Sequence, residues 1–169
     1  MTSNKIYHQI CLGLVTSVMV LAVGCASAKK TEDTSAPTAT NAAADDNSAS
    51  GDSDSGKALG LQTVNFPFDT YTLDESGKST LKANADILKA QPNTKIQIEG
   101  HCDQRGGIQY NIALGEKRAN IAKKYLHSLG IAEARMTVIS FGKEKPIDTG
   151  TSEEAYAKNR RDNFVITSR

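Results

Sequence analysis

The chain has 169 residues, enough for one domain with appendages. Lys and Arg total 20 against 19 Asp and Glu, a formal net charge of +1. That balance argues against nucleic acid as a partner, which calls for a clustered basic surface. Aromatic residues make up 5% with no Trp, so a stacking platform for sugars or bases is poorly supplied.

Residues 1–24 read as a signal peptide: Lys5 and His8 precede an almost wholly apolar run from Ile10 to Val23, shorter than a membrane span. Leu21-Ala22-Val23-Gly24-Cys25 is similar to a bacterial lipobox. The similarity implies cleavage before Cys25 and acylation there by several chains, because a single chain holds a membrane only marginally. Ala26 and Ser27 are not acidic, which by analogy with lipoprotein sorting implies the outer membrane, with the mature protein anchored rather than spanning. From Cys25 to Lys57 the composition is Ala, Thr, Ser, Asp and Asn with almost no large apolar residue. Such a segment cannot offset its ordering entropy and is expected to be a flexible, disordered tether. At coil dimensions its ends lie roughly 30 Å apart, and about 100 Å apart when stretched. Its acids, Asp52 and Asp54 among them, are expected only to keep it solvated.

The folded domain is expected over residues 58–169. Leu61–Phe66 alternates as a first strand, and Pro67-Phe68-Asp69-Thr70 closes it. Asp74 or Ser76 can cap a helix that carries Leu81, Ile87 and Leu88 and ends at Pro92. Lys95–Glu99 is a half-buried strand. Gly100 stops it, a polar loop follows, and Gly106-Gly107 let the backbone turn into a helix from Ile108 to Leu129. Gly130 is placed as the helix stop. Met136–Phe141 reads as a third strand, Ser152 to about Asn159 as a short helix, and Asp162–Thr167 as a fourth strand. Strands alternating with helices imply βαβ units and a sheet packed against helices, an α/β domain. Tyr110, Tyr125 and Leu126 are assigned to the core.

Three cysteines are present, Cys11, Cys25 and Cys102. If the leader is lost and Cys25 acylated, Cys102 has no partner in the chain. His101-Cys102 lacks further zinc ligands at a usable spacing, so no metal or cofactor is expected. Asp69, Glu99 and Asp103 are the carboxylates a muramidase could use, but nothing pairs two of them across a bond, and the nearby arginines would keep acids ionised. No phosphate-binding Gly loop or nucleophile elbow is present. The chain is read as a non-enzyme.

Gly100-His101-Cys102-Asp103-Gln104-Arg105-Gly106, Tyr110-Asn111, Leu114-Gly115 and Arg118-Ala119 together resemble the signature of the OmpA C-terminal-like peptidoglycan-binding family. Phe68-Asp69, Ser140 to Pro146 and Asn159-Arg160-Arg161 agree with it. Within the family the pattern is most similar to the peptidoglycan-associated lipoproteins. Gln104 stands where those proteins commonly have an acid, and Gly107 where they have a hydroxyl residue. The resemblance implies a βαβαβαβ fold, an α+β sandwich with a mixed four-stranded sheet. It implies as ligand the diaminopimelate of peptidoglycan stem peptides, whose free end carries an ammonium and a carboxylate. Asp103 would take the ammonium and Arg118 would grip the carboxylate with two parallel bonds. Asn111 and Leu114, on the face of Arg118, would shape the wall, Asp69 and Thr70 would bring loop backbone to the ligand, and Arg105 would orient Asp103. Arg160 and Arg161 are left open between ligand contact and packing. The resemblance further implies a Tol–Pal role in envelope integrity and cell division, with TolB and other Tol proteins as partners.

Overall fold

The computed structural model describes residues 51–169. The expected signal peptide, Cys25 and most of the expected tether lie outside the described residues. The elements are β1 (Val64–Asn65), α1 (Glu75–Ala90), β2 (Lys95–His101), α2 (Ile108–Ser128), a 3-10 turn (Glu133–Arg135), β3 (Met136–Gly142), α3 (Glu153–Asn159) and β4 (Arg161–Ser168). This is the expected βαβαβαβ order. The sheet runs β1-β4-β2-β3, with β2 and β3 parallel and the other two pairings antiparallel. It is therefore the mixed four-stranded sheet implied by the resemblance.

Period-two patterning decides which face is dry. Ile96 and Ile98 of β2 lie beside Ile166 and Phe164 of β4, and all four are buried with Leu81, Ala85 and Leu88 of α1 and Ala119, Ala122 and Leu126 of α2. Burial of these side chains is the main force holding the helices on the sheet. α1 starts where Asp74 accepts the Gly77 amide at 2.7 Å, and α3 where Ser152 accepts that of Ala155. At one point α2 meets β2 backbone to backbone: a Cβ on Gly100 would stand 2.0 Å from the Gly115 carbonyl oxygen. This contact fixes where α2 crosses the strand, and hence where its first turns sit over the loop after β2.

Two expectations change. The first strand is only two residues long, because the backbone around it bonds elsewhere: Asn84 takes the Gln62 amide and returns a bond to its carbonyl. The domain also begins before residue 58. Ser53 donates its amide to the Phe164 carbonyl, and Ile166 donates to that of Gly51. Asp54, expected only to solvate, pairs with the buried Arg161 at 2.7 Å. The last residues of the expected tether thus extend the sheet edge beyond β1.

Candidate functional site

The loop after β2 and the first turns of α2 enclose a cavity of about 160 Å³ with the Phe68-Asp69 turn and Arg160. Asp103, Arg105, Asn111, Leu114 and Arg118 line it together with Asp69, so six of the seven ligand residues expected from sequence converge. Thr70 is the exception. Its carbonyl accepts from Arg118 and its hydroxyl takes the Thr72 amide, so it supports the wall from behind.

Asp103 is almost fully buried and its carboxylate is saturated. Oδ1 accepts the Arg105 amide (3.0 Å) and Nε (3.3 Å), while Oδ2 accepts Arg105 Nη2 (2.6 Å) and Arg160 Nη1 (3.2 Å). Burial pushes this carboxyl up, but the bonds from Arg105 and Arg160 prevail and hold it below the ordinary value. Glu153, at the start of α3, bridges the outer ends of the same two arginines, at 3.3 Å from Arg105 and 2.9 Å from Arg160. Arg105 lies between the rings of Phe68 (4.1 Å) and Tyr156 (4.5 Å). Arg105, expected to orient Asp103, makes three hydrogen bonds to its carboxylate.

Arg118 is wholly buried. Nε donates to the Thr70 carbonyl (2.8 Å), Nη1 to that of His101 (3.1 Å) and Nη2 to that of Pro67 (3.1 Å), and Nη1 also lies 3.6 Å from Cys102 Sγ. A guanidinium has five N–H groups, so little of its fork remains for a ligand. The two-bond carboxylate grip is not free in this arrangement. What Arg118 brings to the cavity floor is its positive charge and the remaining Nη2 hydrogen.

Asn111, also buried, donates to the carbonyls of Arg105 (2.8 Å) and Gly107 (3.2 Å) and so ties the loop to the helix it precedes. The Cys102 thiol donates to the Asn111 carbonyl at 3.3 Å, and burial pushes its pKa up to about 11. It is a packed, protonated thiol.

The rim corrects the sequence reading. Tyr110, assigned to the core, is 54% exposed, lines the cavity and donates its hydroxyl to Asp69 Oδ1. It falls on the first turn of α2, before the stripe that meets the sheet. Of the two arginines left open, Arg160, which follows the last residue of α3, enters the cavity, while Arg161, the first residue of β4, pairs with Asp54. Glu153 and Tyr156 were not expected at the site, and the one available signal was the acidic first turn of α3.

The OmpA family profile matches residues 65–160, which contain every cavity residue named above. The chain belongs to the OmpA family. A peptidoglycan-associated lipoprotein of Pasteurella multocida is 44% identical over 99 residues, 59% of this chain and 66% of that protein. The chain therefore spans just under two thirds of that relative. One from Pseudomonas aeruginosa is 36% identical over 152 residues, 85% of this chain and 88% of its own. The crystal structure of the peptidoglycan-associated lipoprotein from Burkholderia pseudomallei matches with a TM-score of 0.61 at 39% identity, covering 67% of this chain and 96% of that one. The C-terminal domain of Helicobacter pylori MotB reaches the same TM-score at 20% identity, a likeness of fold alone. In this OmpA-family domain three cations (Arg105, Arg118 and Arg160) face two carboxylates (Asp69 and Asp103) around one small cavity.

Proposed function

We propose that the chain is an outer-membrane lipoprotein, acylated at Cys25, whose domain binds peptidoglycan through the diaminopimelate of stem peptides. The observation that carries this reading is the convergence of Asp69, Asp103, Arg118 and Arg160 on one cavity of about 160 Å³. That space suits the zwitterionic head of one amino acid better than a drug-sized molecule. The excess of cations favours a ligand with more carboxylate than ammonium. Asp69, which accepts only from Tyr110 among the described residues, has lone pairs left for the ammonium, with the Asp103 charge behind it. The carboxylate goes toward Arg118 and Arg160.

The role is binding without chemistry. Asp103 is held ionised by its arginines, the opposite of what a general acid needs. Tethering follows from the anchor at one end and the wall at the other, in a Tol–Pal assembly with TolB as a competing partner. A second reading, a lipoprotein that binds only proteins, is favoured by the saturation of Asp103 and Arg118 and by exposed Phe68, Tyr71, Ile108 and Tyr110.

Calorimetric titration of residues 51–169 with a diaminopimelate stem peptide decides between them. A lysine peptide lacking the side-chain carboxylate serves as the control. Saturable binding of the first and not the second supports wall binding. A folded domain that binds neither leaves the protein-only reading.

A further inference from the structure

The binding site just proposed has a titratable group beside it that plays no part in lining it. Asp162 of β4 is completely buried, and neither carboxyl oxygen has a hydrogen-bond partner among the described residues. It stands between Val64 of β1 and Gly100 of β2 in the sheet register. It shares the face of Phe164, two residues on, and so looks toward the helices. The strands on either side present no titratable group to it there. The buried residues of α1 are Gly77, Leu81, Asn84, Ala85 and Leu88, none of which ionises. α2 presents Arg118, and the loop after β2 presents the protonated thiol of Cys102. Glu99 accepts from Asn163 and lies 3.5 Å from His101, on the face of the sheet opposite Asp162.

Arg118 is equally unusual. It is a wholly buried cation whose bonds go to backbone carbonyls, with no carboxylate in ion-pair contact among the described residues. Asp162 stands beside Gly100 in register, and Arg118 donates to the carbonyl of the next residue, His101, so the two groups are close neighbours without ion-pair contact. Only the cation lines the cavity.

We propose that Asp162 and the ligand's carboxylate compete for the charge of Arg118, so that capture of a carboxylate takes up a proton at Asp162. An ionised Asp162 compensates Arg118 from within the core. A carboxylate arriving from the cavity takes over that compensation and repels the buried anion, which is relieved by protonation. Burial already holds the Asp162 carboxyl well above its ordinary value, with Arg118 opposing. The sign follows from linkage: a proton taken up on binding makes affinity fall as pH rises through the Asp162 transition. Asp162 acts through Arg118 and is a positioning residue, not a ligand contact.

This inference rests on the cavity being a carboxylate site, and the test separates the two. The full-length chain in detergent is titrated calorimetrically with the tripeptide stem ending in meso-diaminopimelate, in buffers of different ionisation enthalpy, from about pH 5.5 to about pH 8. The expected result is proton uptake, with affinity falling about tenfold for each unit by which the ligand raises the Asp162 pKa. Asp162→Asn should bind without uptake and with a flattened pH profile. Parent binding with no uptake, or with uptake that persists in the Asn variant, overturns the proposal and leaves the wall-binding reading intact. No binding at any pH overturns both. Should the variant fold poorly, the carbon-13 shift of the Asp162 carboxyl in the parent reports the same proton. That resonance should move toward the protonated value on ligand addition, and a static resonance overturns the proposal.

Discussion

Arg118 Nε donates to the carbonyl of Thr70 at 2.8 Å, joining α2 to the turn after β1 across 48 residues of sequence. With the bonds to Pro67 and His101, one guanidinium holds both loops that frame the cavity. Arg118→Ala therefore removes more than a ligand group: three carbonyls lose their donor. The expected cost is about 3 kcal/mol in urea unfolding, together with loss of stem-peptide binding. Arg118→Lys keeps the charge but not the fork, and should recover part of the stability and little of the binding. An Ala variant as stable as the parent would show that these carbonyl bonds do not hold the loops.

Asp103 is the centre of the four-charge chain Glu153–Arg105–Asp103–Arg160. Because its folded pKa is depressed, it contributes stability above its unfolded pKa, and that contribution is lost as pH falls through the folded value. Asp103→Asn should cost about 2 kcal/mol at neutral pH, with the gap to the parent closing as pH falls from the ordinary Asp range through the depressed folded value. Stem-peptide affinity should drop at least about tenfold. A stability gap that does not change with pH would mean that the Asn variant suffers from altered packing, and that the charge of Asp103 contributes nothing.

The fold was legible because its signals are local. Alternation at Lys95–Glu99, the Asp74 and Ser152 caps and the Gly130 stop each need only a few neighbouring residues. The site residues became legible through the resemblance, and the bonding of Arg118 did not. That Arg118 spends its donors on Thr70, His101 and Pro67 depends on contacts across the chain that no spacing encodes. Composition misled at Asp54, where a Ser- and Asp-rich stretch reads as solvated coil while a buried arginine more than a hundred residues away claims one of its acids.

That acid leads to a prediction about the domain boundary. Asp54 and Arg161 are both largely buried, and Ser53 adds bonds to Phe164 and Asn163. Removing residues 1–57 deletes the acid and leaves Arg161 without its carboxylate, an arrangement that costs about 3 kcal/mol. A chain of residues 58–169 should therefore melt about 10 °C below one of residues 51–169. Asp54→Asn in the longer chain should reproduce much of the difference. Equal melting temperatures would make residues 51–57 an ornament of the edge.

Two glycines at opposite ends of the site loop should respond in opposite directions. At Gly100 a Cβ would meet the Gly115 carbonyl at 2.0 Å, with backbone on both sides and no side chain that can rotate away. Gly100→Ala must push α2 off β2 and should cost more than about 4 kcal/mol, a large share of a small domain's stability. At Gly107 nothing lies within 4 Å, its φ of −77° suits any residue, and it caps α2 without a side-chain bond. Gly107→Ser supplies the missing acceptor and should stabilise the domain by a few tenths of a kcal/mol. Chemical denaturation of both variants beside the parent checks the pair. A well-folded Gly100→Ala would show that α2 and β2 are not in backbone contact, and a destabilised Gly107→Ser would show that the loop needs glycine for a reason other than space.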